Sequence, residues 1–292
     1  MIKIEIKELL EAGFHFGHQR ERWNPKMKPF LYGDRGGVHI IDLAKAANLF
    51  QAALNFIAES VGEGQEVLFV ATKRQAQDLV KTEAERCGMY YVNNRWMGGT
   101  LTNFRTVKAS IDRLKKLIKG KEDGSFEDLK KAEKLRIDRE IQRLEKSLSG
   151  IKEMNRVAQL VVLIDPNKEH LALKEALRLG IPVIALTDTN CDPDDIEYVV
   201  PGNDDATRSI KLFFSKVADA VLAGMSLREA KARRNAVEAE EKPAVRETGG
   251  RKADAYVAKP EASEDEEATA DVYSAKPIVE AEAITMEKQH QD

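Results

Sequence analysis

Five short apolar runs punctuate the chain: VLFVAT (67–72), MYYV (89–92), LVVLID (160–165), PVIALTD (182–188) and YVVP (198–201). A strand covered on both faces has no polar side to alternate with, so runs this short and this continuous predict buried strands. Amphipathic stretches with readable ends lie between them. Asp42 can cap a helix over DLAKAANLFQAALNFIAESVG, KRQAQDLVKTEAERCG stops at Gly88, and NKEHLALKEALRLG stops at Gly180 with Pro182 just beyond. Asp205 or Asn203 can cap the last core helix, which contains SIKLFFSKVADAVLAG. Strand and helix alternate, which predicts a doubly wound parallel α/β sheet.

One segment breaks the rhythm. Between Arg105 and Ser149 no strand is readable, and two apolar series, Val107, Ile111, Leu114, Ile118 and Ile137, Ile141, Leu144, Leu148, each step by four, three and four. That spacing is a heptad seam on two successive helices. Gly120 and Gly124 lie in the link, so the pair is expected to fold back as an antiparallel coiled-coil hairpin over 106–149, inserted into an α/β domain made of 1–105 and 150–235. Two ordinary helices packed on the sheet are the alternative.

Charge divides the chain further. The 46 Lys and Arg against 49 Asp and Glu give a net charge of −3, but residues 236–292 hold 15 acidic and 7 basic groups, a net of −8. The remaining 39 basic and 34 acidic groups give residues 1–235 a net of +5. Beyond 236 there is no apolar periodicity, and a segment with so little to bury cannot offset its ordering entropy, so a disordered acidic tail is expected there. Such a tail could screen the basic body from nonspecific RNA. Cys87 and Cys191 form no CxxC pair, which leaves a disulfide framework and a zinc finger unsupported and a reducing compartment the simplest setting. Acidic residues interrupt the opening segment and no run approaches a membrane span, so a soluble, unexported protein is expected.

The chemistry-bearing residues sit in loops. No GxGxxG or GxxxxGK[ST] occurs, and VLFVAT is followed by Lys73 and Arg74 rather than by glycines, which disfavours a dinucleotide enzyme. No base stands near either cysteine in sequence, so no catalytic residue is assigned. The segment FHFGHQRERWNPKMKPF (14–30) interleaves Arg20, Arg22, Lys26 and Lys28 with Trp23 and three phenylalanines: the cations suit RNA phosphates, and flat rings suit bases, packing on the core being the favoured alternative for the rings. A second loop, NNRWMGGTLTNFRT (93–106), joins Asn94, Arg95, Trp96, Thr102, Asn103 and Arg105 to a Gly-Gly pair, a donor set suited to a sugar-phosphate backbone or to an ordinary substrate turn. Lys73 and Arg74 add two cations at a strand end. His18, Asp188, Asp204 and Asp205 form a third set: if the His18 loop folds over the C-terminal sheet edge, an imidazole and up to three carboxylates could hold a divalent ion, helix caps and surface acids being the alternative.

The runs LLEAGFHFGHQRERWNPKMKPFLYG, GVHIIDL, FVATKRQAQ, YYVNNRWMGGTLTNF, IDPNKEHLALKEALRLGIPVIALTDTNCDP and VPGNDDATRSI resemble, in order and spacing, the bacterial small-subunit ribosomal protein S2 family over about residues 1 to 230. Two departures, Ala71 in place of a usual glycine and GIKEMNRVAQ before the third strand, touch loop geometry. The resemblance implies a non-enzymatic constituent of the small ribosomal subunit, with a Rossmann-like α/β domain and an inserted coiled-coil hairpin. It also implies a place at the head–body junction, contact with small-subunit rRNA and neighbouring ribosomal proteins, and a part in docking the mRNA-binding ribosomal protein S1. A cytoplasmic, ribosome-bound protein is expected, with no membrane or DNA partner and no cofactor beyond that divalent ion. On this reading the body's positive excess lies in the basic loops.

Overall fold

The computed structural model describes residues 2–241. In chain order the elements are α1 (Ile6–Glu11), β1 (Phe16–Gln19), β2 (Leu31–Arg35), β3 (Val38–Ile41), α2 (Leu43–Gly62), β4 (Val67–Val70), α3 (Gln77–Arg86) and β5 (Tyr90–Val92). They continue with α4 (Phe104–Glu122), α5 (Lys131–Leu148), β6 (Leu160–Ile164), α6 (His170–Arg178), β7 (Val183–Thr187), β8 (Tyr198–Pro201) and α7 (Thr207–Glu241). Each of the five apolar runs contains one strand of a parallel sheet ordered β5-β4-β6-β7-β8.

Every residue of β4, β6 and β7 is buried, because helices cover both faces. Successive side chains point to opposite sides of a strand. Phe69, Leu160, Val162, Ile164, Ile184 and Leu186 therefore meet α2, α3 and α7 on one face, where Phe50, Phe213 and Phe214 fill the layer. Leu68, Val70, Val161, Leu163, Val183 and Ala185 meet α6 and the near ends of α4 and α5 on the other.

The local rules explain the element ends. Asp42 Oδ1 accepts from the Ala44 and Lys45 amides and starts α2. Asn203 Oδ1 accepts from the Asp205 and Ala206 amides in a turn just ahead of α7, whose helical bonding runs from the Ile210 amide to the Ala206 carbonyl, so Ala206 and neither Asn203 nor Asp205 stands at the cap position. Gly88 and Gly180 stand at φ +66° and +65°, the left-handed conformation that ends a helix. α7 runs to Glu241, past the boundary expected at 236, and the rest of the acidic tail lies outside the described residues.

α4 and α5 lie side by side with reversed direction: Arg113 pairs with Glu140 and Lys121 with Asp138. Val107, Ile111, Leu114, Ile141 and Leu148 are buried, and Ile118, Ile137 and Leu144 pack beside them. The same cluster includes sheet residues, so the near half of the pair is rooted in the body.

A second sheet went unread in the sequence. β1, β3 and β2 pair antiparallel, β3 in the centre. The β2–β3 turn is Gly36-Gly37 at φ +62° and +79°, a two-residue connection open to glycine and costly to most other residues. This small sheet is stitched to the large one. Thr189 Oγ1 accepts from the His18 amide at 2.9 Å and the Thr189 carbonyl from the Asn24 amide at 2.8 Å. The His18 segment thus folds over the C-terminal edge of β7.

Candidate nucleic-acid interface

In the order β5-β4-β6-β7-β8 the connections reverse direction between β4 and β6, the position where open α/β sheets bind ligands. Here the protein fills that crevice itself. Lys73, just past β4, places its ammonium 2.9 Å from Asp165, 2.8 Å from Asp204 and 3.0 Å from Asp205. Burial alone would lower its pKa, but Asp204 and Asp165 outweigh that and hold the ammonium charged. With a side chain 11% exposed, Lys73 differs from the other cations proposed for phosphate contact: it is a buried counter-ion. Arg74, next to it, is exposed and has no ion pair among the described residues.

The four metal candidates come together around it. His18 Nδ1 lies 3.1 Å from Asp188 and Nε2 lies 3.6 Å from Asp205. Donor atoms of His18, Asp188 and Asp204 all lie within 4.8 Å of one another. Asp204 is 0% exposed, and its Oδ2 accepts no hydrogen bond. Burial, then repulsion from Asp188, pushes its carboxyl up to about 7 against the pull of Lys73. His18 is shifted the same way, chiefly by its contact with Asp188 and despite burial. Four carboxylates facing one lysine and one imidazole leave surplus negative charge. An N,O,O donor set with a partnerless buried carboxylate oxygen fits a divalent cation. Cys191 lies beside Asp165 and Asp204, yet burial and their charge push its thiol far up, which keeps it protonated and inert.

Above this cluster lies the basic segment. Arg20 and Arg22 are exposed on a 3-10 turn and Lys28 is exposed on the next. Lys26 is exposed too, but its ammonium lies 2.7 Å from Asp192 and 2.6 Å from Asp194, so its charge is already matched. Trp23 is half-buried and tilts against His39 at a centroid distance of 5.0 Å, while Phe14 is buried against Phe50. Of the aromatics in this segment, Phe16 is about half exposed.

In the second loop, Glu175 is the organiser that the sequence reading did not single out. Oε1 accepts from the Trp96 indole and the Gly99 amide, and Oε2 accepts from the Leu101 amide, the Thr102 amide and the Thr102 hydroxyl. Burial would raise this carboxyl, but the Trp96 indole and the amides of Thr102, Gly99 and Leu101 more than offset it, so its pKa lies below the usual range. The donors expected to face a phosphate backbone at Trp96 and Thr102 are thus turned inward. Trp96 is only 6% exposed and presents no stacking face. Arg95, Asn103 and Arg105 remain on the exposed rim, with Asn94 half-buried beside them.

The sequence profile of the family described as Ribosomal protein S2 matches residues 9–224. A small ribosomal subunit protein uS2 from Geotalea uraniireducens (strain Rf4) is 57% identical over 231 residues, covering 79% of this chain and 90% of the relative. Its counterpart from Sorangium cellulosum (strain So ce56) is 54% identical over 226 residues, covering 77% and 81%. On the family match and these two relatives, the chain belongs to the ribosomal protein S2 family, a structural and non-enzymatic component of the ribosome.

Proposed function

We propose that this protein is a constituent of the small ribosomal subunit, where it binds rRNA at the head–body junction and helps dock ribosomal protein S1. Family membership supports the ribosomal role. The observation that carries the RNA contact is a set of exposed cations, Arg20, Arg22, Lys28, Arg74, Arg95 and Arg105, with no ion pair among the described residues and held on loops, 3-10 turns and the start of α4. Arg is suited to bidentate phosphate contact. Lys73, Trp96 and Thr102 support the surface through their buried bonds, Lys26 stands exposed but paired with Asp192 and Asp194, and Trp23, Asn94 and Asn103 line it.

Each phosphate contact releases counterions, so binding weakens linearly in log salt. Replacing Arg20, Arg22, Lys28, Arg95 and Arg105 with Gln should flatten the slope of log K against log salt for small-subunit rRNA by about 4.5, at ~0.9 per contact. An unchanged slope would remove these loops from the interface.

His18, Asp188 and Asp204, with Asp205 at the rim, would hold a divalent ion that neutralises the acidic cluster and fixes the His18 segment. The α4–α5 pair acts as a coiled-coil hairpin, supported by its 4-3-4 seam and flanking ion pairs. The acidic tail serves as an electrostatic screen, and deleting 242–292 should raise off-target RNA affinity at low salt. The protein works in the cytoplasm as part of the ribosome. Among the described residues no helix is long and apolar enough to cross a membrane.

A further inference from the structure

The positive excess of residues 1–235 does not lie in the basic loops, contrary to expectation. Residues 104–148 hold 14 basic and 9 acidic groups, a net of +5, which leaves 25 of each sign in the rest of residues 1–235. The excess is therefore on the two-helix insertion, with Arg105 at the start of α4 contributing one of the five charges.

On α5 the charges are sorted by face. At about 100° per residue, Arg136, Arg139, Arg143 and Lys146 fall within an arc of about 80°, roughly opposite the seam of Ile137, Ile141, Leu144 and Leu148. Ala132, Leu135 and Ser147 share that side, and no carboxylate of α5 does. The helix's four acids, Glu133, Asp138, Glu140 and Glu145, flank the seam instead, where Asp138 and Glu140 take Lys121 and Arg113 of α4. Arg136, Arg139, Arg143 and Lys146 are all exposed, and none has an ion pair among the described residues. A helix stabilised only by its own salt bridges would intersperse the two signs on its outer face.

From the first to the last of these residues the stripe runs about 15 Å at 1.5 Å per residue. A nucleic-acid duplex carries a negative charge about every 1.7 Å of axis, so the stripe can meet several phosphates at once. Three of the four cations are arginines, whose planar fork matches phosphate oxygens. We infer that the outer face of α5 is a second RNA-binding surface, one that tracks the backbone of a double-stranded segment without reading sequence. It rests on the RNA-binding reading above and adds a footprint remote from the two loops.

The test uses the full chain and a blunt RNA duplex of arbitrary sequence, with affinity measured by fluorescence anisotropy across a salt series. In R136Q/R139Q/R143Q/K146Q, which keeps helix propensity, the slope of log K against log salt should fall by about 3.6, so that between ~50 and ~200 mM salt the variant loses on the order of 100-fold less affinity than the parent. R136K/R139K/R143K, which keeps the charge, should restore the slope. R113Q/K115Q/K121Q, which removes cations already held by Glu140, Glu153 and Asp138, should change it by less than about 1. An unchanged slope in the stripe variant, or an equal fall in that control, overturns the inference. So does a stripe variant that keeps its RNA slope but loses binding to polyglutamate, which would mark the face as a site for acidic protein. If the loop variant lowers the slope and the stripe variant does not, only this inference fails; if neither does, the RNA reading fails with it.

Discussion

Glu175 accepts a hydrogen bond from the Trp96 indole at 3.0 Å, joining the middle of α6 to a loop 79 residues earlier. The same carboxylate takes three backbone amides and the Thr102 hydroxyl, so one side chain fixes the path of residues 96–102 and the exposure of Arg95 and Arg105.

Glu175→Gln keeps the shape but removes the charge and one acceptor oxygen. Charge-assisted hydrogen bonds contribute about 1.5–3 kcal/mol each and stranded donors add their desolvation, so urea unfolding should show a loss of about 2–3 kcal/mol. Tryptophan emission should shift red as Trp96 is exposed. An unchanged midpoint and spectrum would mean that the loop holds its shape without Glu175.

Lys73 separates a structural cation from an RNA-contacting one. Lys73→Met leaves Asp165 and Asp204 buried without their counter-ion, and breaking such a set typically costs about 3–5 kcal/mol. Stability should drop by that order while the RNA salt slope stays unchanged. A slope lowered by about 1 at full stability would return Lys73 to the interface.

The acidic cluster makes stability depend on pH in a stated direction. Asp204 titrates at about 7 in the folded protein and at about 3.9 in the unfolded chain. Between those values the folded state holds a proton that the unfolded state has lost, so stability falls as pH rises. His18, also raised, adds a loss as pH rises through its folded pKa. Glu175 and Asp192 are lowered, so their effect is confined to more acidic solution. Chelator-treated protein should melt higher at pH 5.5 than at pH 8, and Asp204→Asn should remove most of the difference. A profile that rises towards pH 8 would contradict this.

The divalent-ion reading makes a separate prediction. One equivalent of zinc, as the metal alone, should raise the melting temperature at pH 8, because an ion that binds only the folded state stabilises it. Asp188→Asn should abolish the gain. Native protein with no stoichiometric metal and no thermal shift would exclude the site.

The parallel sheet was legible because β4, β6 and β7 are buried on both faces and so read as unbroken apolar runs. The seam of α4 and α5 was legible because its spacing is periodic. The small sheet was not: β2 is mostly exposed and β1 is four residues long, so only the Gly36-Gly37 pair marked a hairpin. The site was legible in part. Residue type picked out Arg20, Arg22 and Arg95, which the fold leaves exposed, and His18, which it brings to Asp188 and Asp205, but it could not tell an exposed cation from Lys73, whose partners Asp165 and Asp204 are 92 and 131 residues away. Glu175 carries no local signal at all, since within KEALRLG it looks like any surface acid on a helix.

The central claim, that this chain works as a bound part of the small ribosomal subunit, is tested most directly by sedimentation of a lysate containing the full chain through a gradient at moderate salt. The chain should travel with the small subunit and leave it progressively as salt is raised. Recovery of the chain in the soluble fraction at every salt concentration, with small subunits intact, would contradict the claim.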